Sequence, residues 1–167
     1  MSGERRLLLL RHAKAVAARP GQSDASDHGR PLSERGRLDA TALGRTLRSR
    51  GLAPTLALVS TALRTRETFE LLQPFGAATP RQVLRDALYL AEMAHLLDVV
   101  REEGGTADTV LLVGHNPGLH ELALTLAGGD RALLQGFPTC RLALFTAVGE
   151  WSDLAPGRAR LQDVLDP

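Results

Sequence analysis

Short apolar runs separated by polar segments divide the chain into predicted strands. Leu7 to Leu10 are four consecutive leucines between charged residues, which predicts a strand buried on both faces. Other apolar runs of similar length predict further strands, and those over 82–89 and 159–164 have the weaker patterns. The predicted strands are 5–12, 55–60, 82–89, 108–114, 141–148 and 159–164.

Apolar residues at helical spacing fill the intervals between these strands. Helices are predicted over residues 33–50, 61–73, 92–103 and 117–127. Ser33 and Thr61 each lie where a side-chain oxygen can cap a helix N-terminus. The buried face of the 33–50 helix is expected to contain Leu38, Ala42, Leu43 and Leu47. Residues 19–31 contain prolines, glycines, serines and aspartates, which predicts a long loop.

The alternation of strands and helices predicts a three-layer α/β fold. Its central sheet is expected to be largely parallel, with helices on both faces. No repeat or long linker divides the sequence, so we interpret residues 1–167 as one domain. Ligands of such sheets bind outside the carboxyl ends of the strands, which directs the search for chemistry to those ends.

The composition excludes several classes of protein. Lys and Arg total 20 against 19 Asp and Glu, so the net charge of +1 provides no basic excess for binding nucleic acid or a membrane surface. A single cysteine, Cys140, excludes a disulfide-stapled secreted scaffold. The apolar runs are too short for a membrane span or a signal peptide. We therefore expect a cytoplasmic protein.

Basic and imidazole side chains follow three of the predicted strands. Arg11 and His12 end the first, Arg64 comes one helical turn after Ser60 at the end of the second, and His115 follows the 108–114 strand. Taken singly, each histidine is more often structural and Arg64 more often solvated. Together, two guanidinium forks and two imidazoles at one sheet edge suit a tetrahedral anion such as phosphate, with one imidazole able to act as a nucleophile.

The sequence around these residues resembles the histidine phosphatase (phosphoglycerate-mutase-like) superfamily. The similar blocks are Leu10–Ala13, Ser60–Thr68 and Val113–Asn116. Its small SixA-type phosphohistidine phosphatase branch is similar over nearly the whole chain, through Arg11–Lys14, the aspartate-containing loop, Arg30–Gly36 and the Leu88-Tyr89 pair. Ala13 stands where glycine is commonest in the superfamily, and the branch often has alanine there.

The resemblance implies phosphoryl transfer through a covalent phosphohistidine. In this scheme His12 attacks phosphorus, and Arg11, Arg64 and His115 bind the non-bridging oxygens. Asn116, beside His115, is expected to contact substrate. The family needs no metal or other cofactor, and the sequence contains no spacing typical of a divalent site. We expect the rate to fall as the pH drops towards 5, because the nucleophilic imidazole becomes protonated.

A general acid is not fixed by this reasoning. The candidates are Asp24 and Asp27 in the long loop and Glu92 after the Leu88-Tyr89 pair, and each is more often a capping or solvated residue. A phosphohistidine leaves as imidazole, so it makes a smaller demand on an enzymatic acid than a phosphoester does.

The length of the chain favours a protein substrate. The interval between the Arg64 helix and the His115 strand holds one short strand and one helix, and so leaves no room for a lid. An open pocket suits a phosphohistidine on a partner protein, such as a phosphorelay domain, better than a small sugar phosphate. The alternatives are a small-molecule phosphatase or mutase of the same superfamily, a non-catalytic phospho-binding module, and a metallohydrolase that uses His12, His115 and a loop aspartate.

Overall fold

A computed structural model describes residues 3–77 and 79–167 of the chain. Six strands form one sheet in the order β3-β2-β4-β1-β5-β6. The strands are β1 (Arg5–Arg11), β2 (Leu56–Ser60), β3 (Arg81–Arg85), β4 (Thr109–Gly114), β5 (Leu142–Ala147) and β6 (Ala159–Leu165). The sheet is therefore mixed, and its central and β3-side strands carry the parallel pairings.

The first four strands of the chain run parallel to one another. Strand β1 pairs with β4 with Leu7 opposite Val110, and β4 and β3 both pair in parallel with β2. Strands β5 and β6 add an antiparallel hairpin-like edge beside β1. The predicted largely parallel sheet is confirmed, and the carboxyl ends of β1, β2 and β4 meet at one edge.

Helices cover both faces of the sheet, as the three-layer prediction requires. They are α1 (Asp24–His28), α2 (Glu34–Ser49), α3 (Leu63–Leu72), α4 (Met93–Glu103), α5 (Gly118–Leu126) and α6 (Arg131–Leu134). Single 3₁₀ turns cover Asp86–Leu88 and Trp151–Asp153. Helices α4 and α5 pack on one face and α2 and α3 on the other, each over its own apolar cluster. Within the described residues, none of these helices is long and apolar enough to span a bilayer.

The four leucines of β1 show how the sheet is buried. Leu7 and Leu9 belong to the cluster under α4 and α5, whereas Leu8 and Leu10 belong to the cluster under α2 and α3. All four are fully buried. Alternate side chains of a strand point to opposite faces, so an uninterrupted apolar run is the pattern of a strand covered on both sides.

Helix α2 confirms one local prediction and corrects another. The Ser33 hydroxyl accepts a hydrogen bond from the Gly36 amide, as a capping serine does. Leu38, predicted to be buried, is 64% exposed. A Cβ on Gly44 would lie 2.5 Å from the Leu72 carbonyl oxygen, so α2 approaches α3 closely through its small residues. Leu38 lies about two and a half turns before the buried Leu47, so it points to the opposite, solvent side of the helix.

Three other predicted features differ in the structure. Thr61 does not cap α3, because its hydroxyl donates to Asp86 instead (2.6 Å) and the helix begins at Leu63 without a side-chain cap. The predicted strand over 82–89 ends at Arg85 and continues as the 3₁₀ turn. The predicted loop over 19–31 contains α1, a helix with no buried residue.

Candidate functional site

A cavity of about 430 Å³ lies at the carboxyl ends of β1, β2 and β4. It is lined by Arg11, His12, Lys14, Ala15, Asp24, Asp27, Arg30, Arg64, Leu90, His115, Asn116 and Thr139. The four residues expected to handle phosphate therefore meet in one place, together with Asn116 and both loop aspartates. Glu92 lies outside this cavity and lines a neighbouring one.

His12 is buried at the end of β1, with its ring centroid 5.3 Å from that of His115. Its Nδ1 lies 2.7 Å from the Ala13 carbonyl oxygen. A carbonyl can only accept, so Nδ1 carries the proton and Nε2 keeps its lone pair. The same contact fixes the ring in the orientation that a nucleophile needs.

The environment of His12 disfavours its protonated form. Burial lowers the pKa of His12 to about 4, and the positive charges of Arg64, Arg11 and Arg30 act in the same direction. The hydrogen bond to the Ala13 carbonyl raises the pKa of His12, but by less than burial and the arginine charges lower it. At neutral pH the ring is therefore uncharged, which is the form that can attack phosphorus.

His115 is held on both ring nitrogens. Its Nδ1 lies 3.3 Å from an Arg64 terminal nitrogen, and its Nε2 lies 2.8 Å from the Ser60 hydroxyl. Because a guanidinium only donates, Nδ1 is the acceptor and Nε2 donates its proton to Ser60. Burial, followed by the charges of His12 and Arg64, lowers the pKa of His115 to about 2.

Arg64 reaches the cavity from the first turn of α3 and is only 2% exposed. One terminal nitrogen donates to the Asp27 carbonyl (2.8 Å) and the other to the Asp27 carboxylate (3.2 Å). Its Nε–H is buried without a partner among the described residues. Arg11 has the same feature: one of its terminal nitrogens donates to the Phe137 carbonyl (3.0 Å) and its Nε–H has no partner in that part of the chain.

Two unpartnered guanidinium donors beside two neutral imidazoles define the electrostatics of the cavity. A buried donor left unpaired costs free energy. The Nε–H of Arg66, outside the cavity lining, is also unpartnered in the described residues, so the position of Arg11 and Arg64 in the lining is what points to a bound anion. The charges of Arg11, Arg30 and Arg64 make an anion the favoured acceptor. The arrangement can bind a tetrahedral oxyanion and expose it to the lone pair of His12.

Asp27 acts as a clamp on the basic residues. Its carboxylate accepts from Arg64, from Arg30 Nε (3.0 Å) and from the Tyr89 hydroxyl (2.5 Å). Burial alone would raise the pKa of Asp27, but the hydrogen bonds from Tyr89 and Arg30 and the charge of Arg64 outweigh it and lower the pKa to about 2. Asp27 is therefore an ionised carboxylate at neutral pH.

The three acid candidates lie in different surroundings. Asp27 holds no proton to donate at neutral pH, as its lowered pKa shows. Asp24 lines the cavity as an exposed residue at the start of α1. Glu92 is exposed on the far side of Leu90. Of the three, Asp24 is thus the carboxylate with access to the cavity and no ion-pair partner among the residues that the structure covers.

Sequence reasoning did not assign functional roles to Ser60 and Arg30. Ser60 is fully buried against His115, and Arg30 pairs with Asp27. The signal for Ser60 was a hydroxyl at the end of a buried strand, and the signal for Arg30 was its place in the Arg30–Gly36 block.

Asn116 lines the cavity and carries a side-chain oxygen with no partner in the part of the chain that the structure describes. Asn116 donates through Nδ2 to the Phe137 carbonyl (2.8 Å), while its Oδ1 is buried and unpartnered in the described residues.

Over residues 3–77 and 79–167 there is no group of three His, Cys, Asp or Glu side chains placed to hold a metal ion. Cys140 is buried, and burial raises the pKa of its thiol to about 12.

The comparisons with known proteins agree with this geometry. The sequence model of the histidine phosphatase superfamily (branch 1) matches residues 7–94. An uncharacterised protein of Mycobacterium tuberculosis is 35% identical over 159 residues, which cover 91% of this chain and 96% of the relative.

Two solved structures are similar in both sequence and fold. One, from Nakamurella multipartitia, was assigned as the phosphohistidine phosphatase SixA; it is 32% identical, with a TM-score of 0.85 over 99% of this chain and 98% of its own. The other, with the same assignment, comes from Agrobacterium tumefaciens; it is 32% identical, with a TM-score of 0.82 over 99% of this chain and 100% of its own. The chain therefore belongs to the histidine phosphatase superfamily, in its SixA-type branch.

Proposed function

We propose that the protein is a metal-independent phosphatase that removes the phosphoryl group from phosphohistidine on a partner protein. The observation that carries this proposal is the cavity at which the guanidinium groups of Arg11 and Arg64 meet His12 and His115. These donors supply an anion site, and His12 supplies a nucleophile whose lone pair is free.

The reaction takes place in two transfers. His12 Nε2 attacks phosphorus, the phosphorus–nitrogen bond of the substrate breaks, and the substrate imidazole leaves with one proton taken up from solvent. Water then attacks the phosphorylated His12, the new phosphorus–nitrogen bond breaks, and inorganic phosphate departs with the protons of the water. His12 regains its lone pair, so the enzyme is unchanged after one turnover.

The positive groups of the cavity offset the charge that moves with the phosphoryl group. Arg11 and Arg64 have directional Nε–H donors left for non-bridging oxygens. The Asp27 clamp holds Arg64 through both terminal nitrogens, so its fork is oriented before substrate arrives. Such preorganised donors act on the transition state without reorganising during the reaction.

His115 contributes through its Ser60 contact. To donate to a phosphoryl oxygen, its Nδ1 must carry the proton that it lacks when Arg64 is the neighbour. The Ser60 hydroxyl can both donate and accept, so it supports His115 with the proton on either nitrogen. An anion beside Nδ1 favours the Nδ1–H form, and Ser60 then donates to Nε2.

The state of the carboxylates favours a phosphohistidine over a phosphoester. An alkoxide leaving group needs a proton donor, whereas imidazole departs readily once protonated. Asp27 is ionised and committed to Arg64, Arg30 and Tyr89. The leaving imidazole can take its proton from solvent, which reaches the cavity past the exposed Asp24.

The open construction of the site favours a protein as the carrier of the phosphoryl group. Between α3 and α4 the chain holds β3 and one 3₁₀ turn, and the cavity is reached past the exposed Lys14 and Leu90. A phosphorylated side chain on a protein surface can enter such a cavity, and a phosphorelay partner would place the protein in the cytoplasm and in signal transduction.

The direct test is hydrolysis of a ³²P-labelled phosphohistidine peptide in the presence of excess EDTA. We expect release of phosphate, and a quenched reaction should contain an acid-labile, base-stable label at His12. His95→Ala, which changes an exposed histidine of α4, is the control and should behave as the parent. Activity lost to EDTA would contradict metal independence. Stoichiometric binding without release would indicate a binding module, and a clear preference for a small sugar phosphate would indicate the small-molecule alternative.

A further inference from the structure

Leu90 has two features that are unfavourable for the stability of the folded protein. Its side chain is 52% exposed, and its backbone has φ 49°. A positive φ is uncommon outside glycine and is an outlier for a bulky residue, because Cβ crowds the following carbonyl. Strained residues persist where neighbouring structure enforces them, and they cluster at functional sites.

The residues on both sides of Leu90 fix it in this conformation. Tyr89 donates its hydroxyl to Asp27, which ties the segment to the phosphate-site clamp. Ala91 is buried, and a Cβ on Gly118 would lie only 2.0 Å from the Ala91 carbonyl oxygen. Gly118 therefore lets the 91 carbonyl pack against the start of α5. The leucine side chain is held outwards between two anchored neighbours.

Leu90 is also the wall between two cavities. It lines the phosphate cavity, and it lines a second cavity of about 300 Å³. The apolar lining of the second cavity includes Ala91, Met93 and Pro117, and its acidic side chains are Glu92 and Glu121. We call Leu90 and this second cavity the Leu90 surface.

The two cavities differ in charge. Arg11, Lys14, Arg30 and Arg64 line the phosphate cavity against two aspartates, whereas Glu92 and Glu121 are the charged residues of the Leu90 surface. A ligand that spans both cavities is bound most favourably when it carries an anionic group at one end and a cationic group at the other. The apolar rim suits a hydrophobic side chain between them.

We propose that the Leu90 surface docks the partner protein, by taking a segment with one apolar and one basic side chain next to the phosphohistidine. This inference rests on the proposed function, because it requires that the phosphoryl group arrive on a polypeptide. The backbone of Leu90 is already held by its anchored neighbours, so its burial by the partner requires little further ordering of the chain.

The test compares kcat/KM for phosphohistidine peptides with kcat/KM for p-nitrophenyl phosphate. One peptide carries Leu and Arg within three residues of the phosphohistidine, and its matched peptide carries Leu and Glu. The parent enzyme should prefer the Leu-Arg peptide. Leu90→Asn should lower the ratio of Leu-Arg peptide to p-nitrophenyl phosphate activity by about fivefold to tenfold, from the apolar contact it removes. Glu121→Lys should reverse the preference between the two peptides.

Stability separates a docking role from a structural one. Asparagine tolerates a positive φ, so Leu90→Asn should melt at or above the temperature of the parent. The control is Leu38→Asn, which changes a leucine of α2 that is 64% exposed and lies outside both cavities. It should keep the activity ratio and melt slightly lower, because asparagine is a poorer helix former.

Three results would overturn the inference or its basis. An unchanged ratio in Leu90→Asn, with the parent active on both peptides, would contradict docking and leave the proposed function intact. A lower melting temperature with both activities reduced equally would assign Leu90 to the structure. A parent enzyme that hydrolyses p-nitrophenyl phosphate but neither peptide would contradict the proposed function itself.

Discussion

The two ends of the sheet each contain a cavity, and they differ in what is buried there. The cavity at the amino ends of β2, β3 and β4 has a volume of about 550 Å³ and is lined by residues 104–108 with Thr55, Leu56 and Arg81. The cavity at the carboxyl ends is smaller, about 430 Å³, but holds buried His12, Arg64 and His115. The larger cavity is therefore not the one that contains the buried histidines and arginine.

Burial of charge explains the difference. Taking an arginine or a histidine out of water is unfavourable unless partners compensate for the lost hydration. At the carboxyl ends the compensation is specific: Asp27 pairs with Arg64, and Ser60 with His115. Arg81 at the amino ends is exposed and has no such arrangement to maintain. The contrast predicts that substitutions at the two ends have very different effects.

The largest effect is expected from His12→Ala. Removal of the attacking nitrogen should lower kcat by at least about 10⁴-fold, because covalent transfer has no other nucleophile. Arg11 and Arg64 remain, so vanadate should still bind, as isothermal calorimetry can measure. Normal turnover in this variant would end the distinction between the two cavities.

Arg64→Lys is expected to have the next largest effect. A lysine ammonium is a point charge that cannot reproduce the fork held by Asp27, so kcat/KM should fall by about 100-fold. Arg66→Lys, two residues along the same helix and outside the cavity lining, is the matched control and should stay within about twofold of the parent. Equal rates for the two variants would show that Arg64 does not contact phosphate.

As the pH is lowered, the folded protein should lose stability at a higher pH than the one at which it loses activity. The folded-state pKa values of His12 and His115, about 4 and about 2, lie below the unfolded value, so protons favour the unfolded chain. The contribution of the two neutral histidines to the free energy of unfolding is fully present well above about pH 6.5 and falls as the pH drops. By pH 5 the loss is about 2 kcal/mol per histidine. Urea unfolding at pH 7 and pH 5 measures it, and His115→Asn should show the smaller loss. An equal loss in that variant would contradict the assignment.

The lowered pKa of His12 places the expected acid limb of the rate at a lower pH than the sequence alone predicts. An ordinary imidazole would lose activity on the way to pH 5, whereas His12 has its pKa lowered to about 4. Because kcat/KM reports the free enzyme, it should stay flat to about pH 5 and halve near pH 4. A half-point near 6.5 would mean that His12 is not buried as described.

The smallest effect is expected at the amino ends. Arg81→Ala removes the basic residue of the larger cavity and should change kcat/KM by less than about twofold. A tenfold loss there would show that the larger cavity takes part in catalysis.

Much of this molecule follows from its sequence, for a physical reason. The apolar run of β1 and the alternation of strands and helices fix the layers, and the rule that ligands bind at the carboxyl ends gathers Arg11, His12, Arg64 and His115. The expectation that Leu38 is buried was wrong for a reason that helical periodicity already contains: Leu38 lies about two and a half turns before the buried Leu47, so the two point to opposite sides of α2. The distance at which Gly44 lets α2 approach α3 could not be predicted. The contact between Asp27 and Arg64 could not be predicted either, because no periodicity relates a carboxylate of α1 to an arginine 37 residues away in α3.

The most direct test of this phosphoryl-transfer site is the crystal structure of the protein with vanadate. We expect one vanadate whose vanadium is bonded to His12 Nε2 and whose oxygens contact the guanidinium groups of Arg11 and Arg64 and the ring of His115. A vanadate bound by Lys14 and Arg30 without His12, or one seated at the amino ends of the sheet, would contradict it.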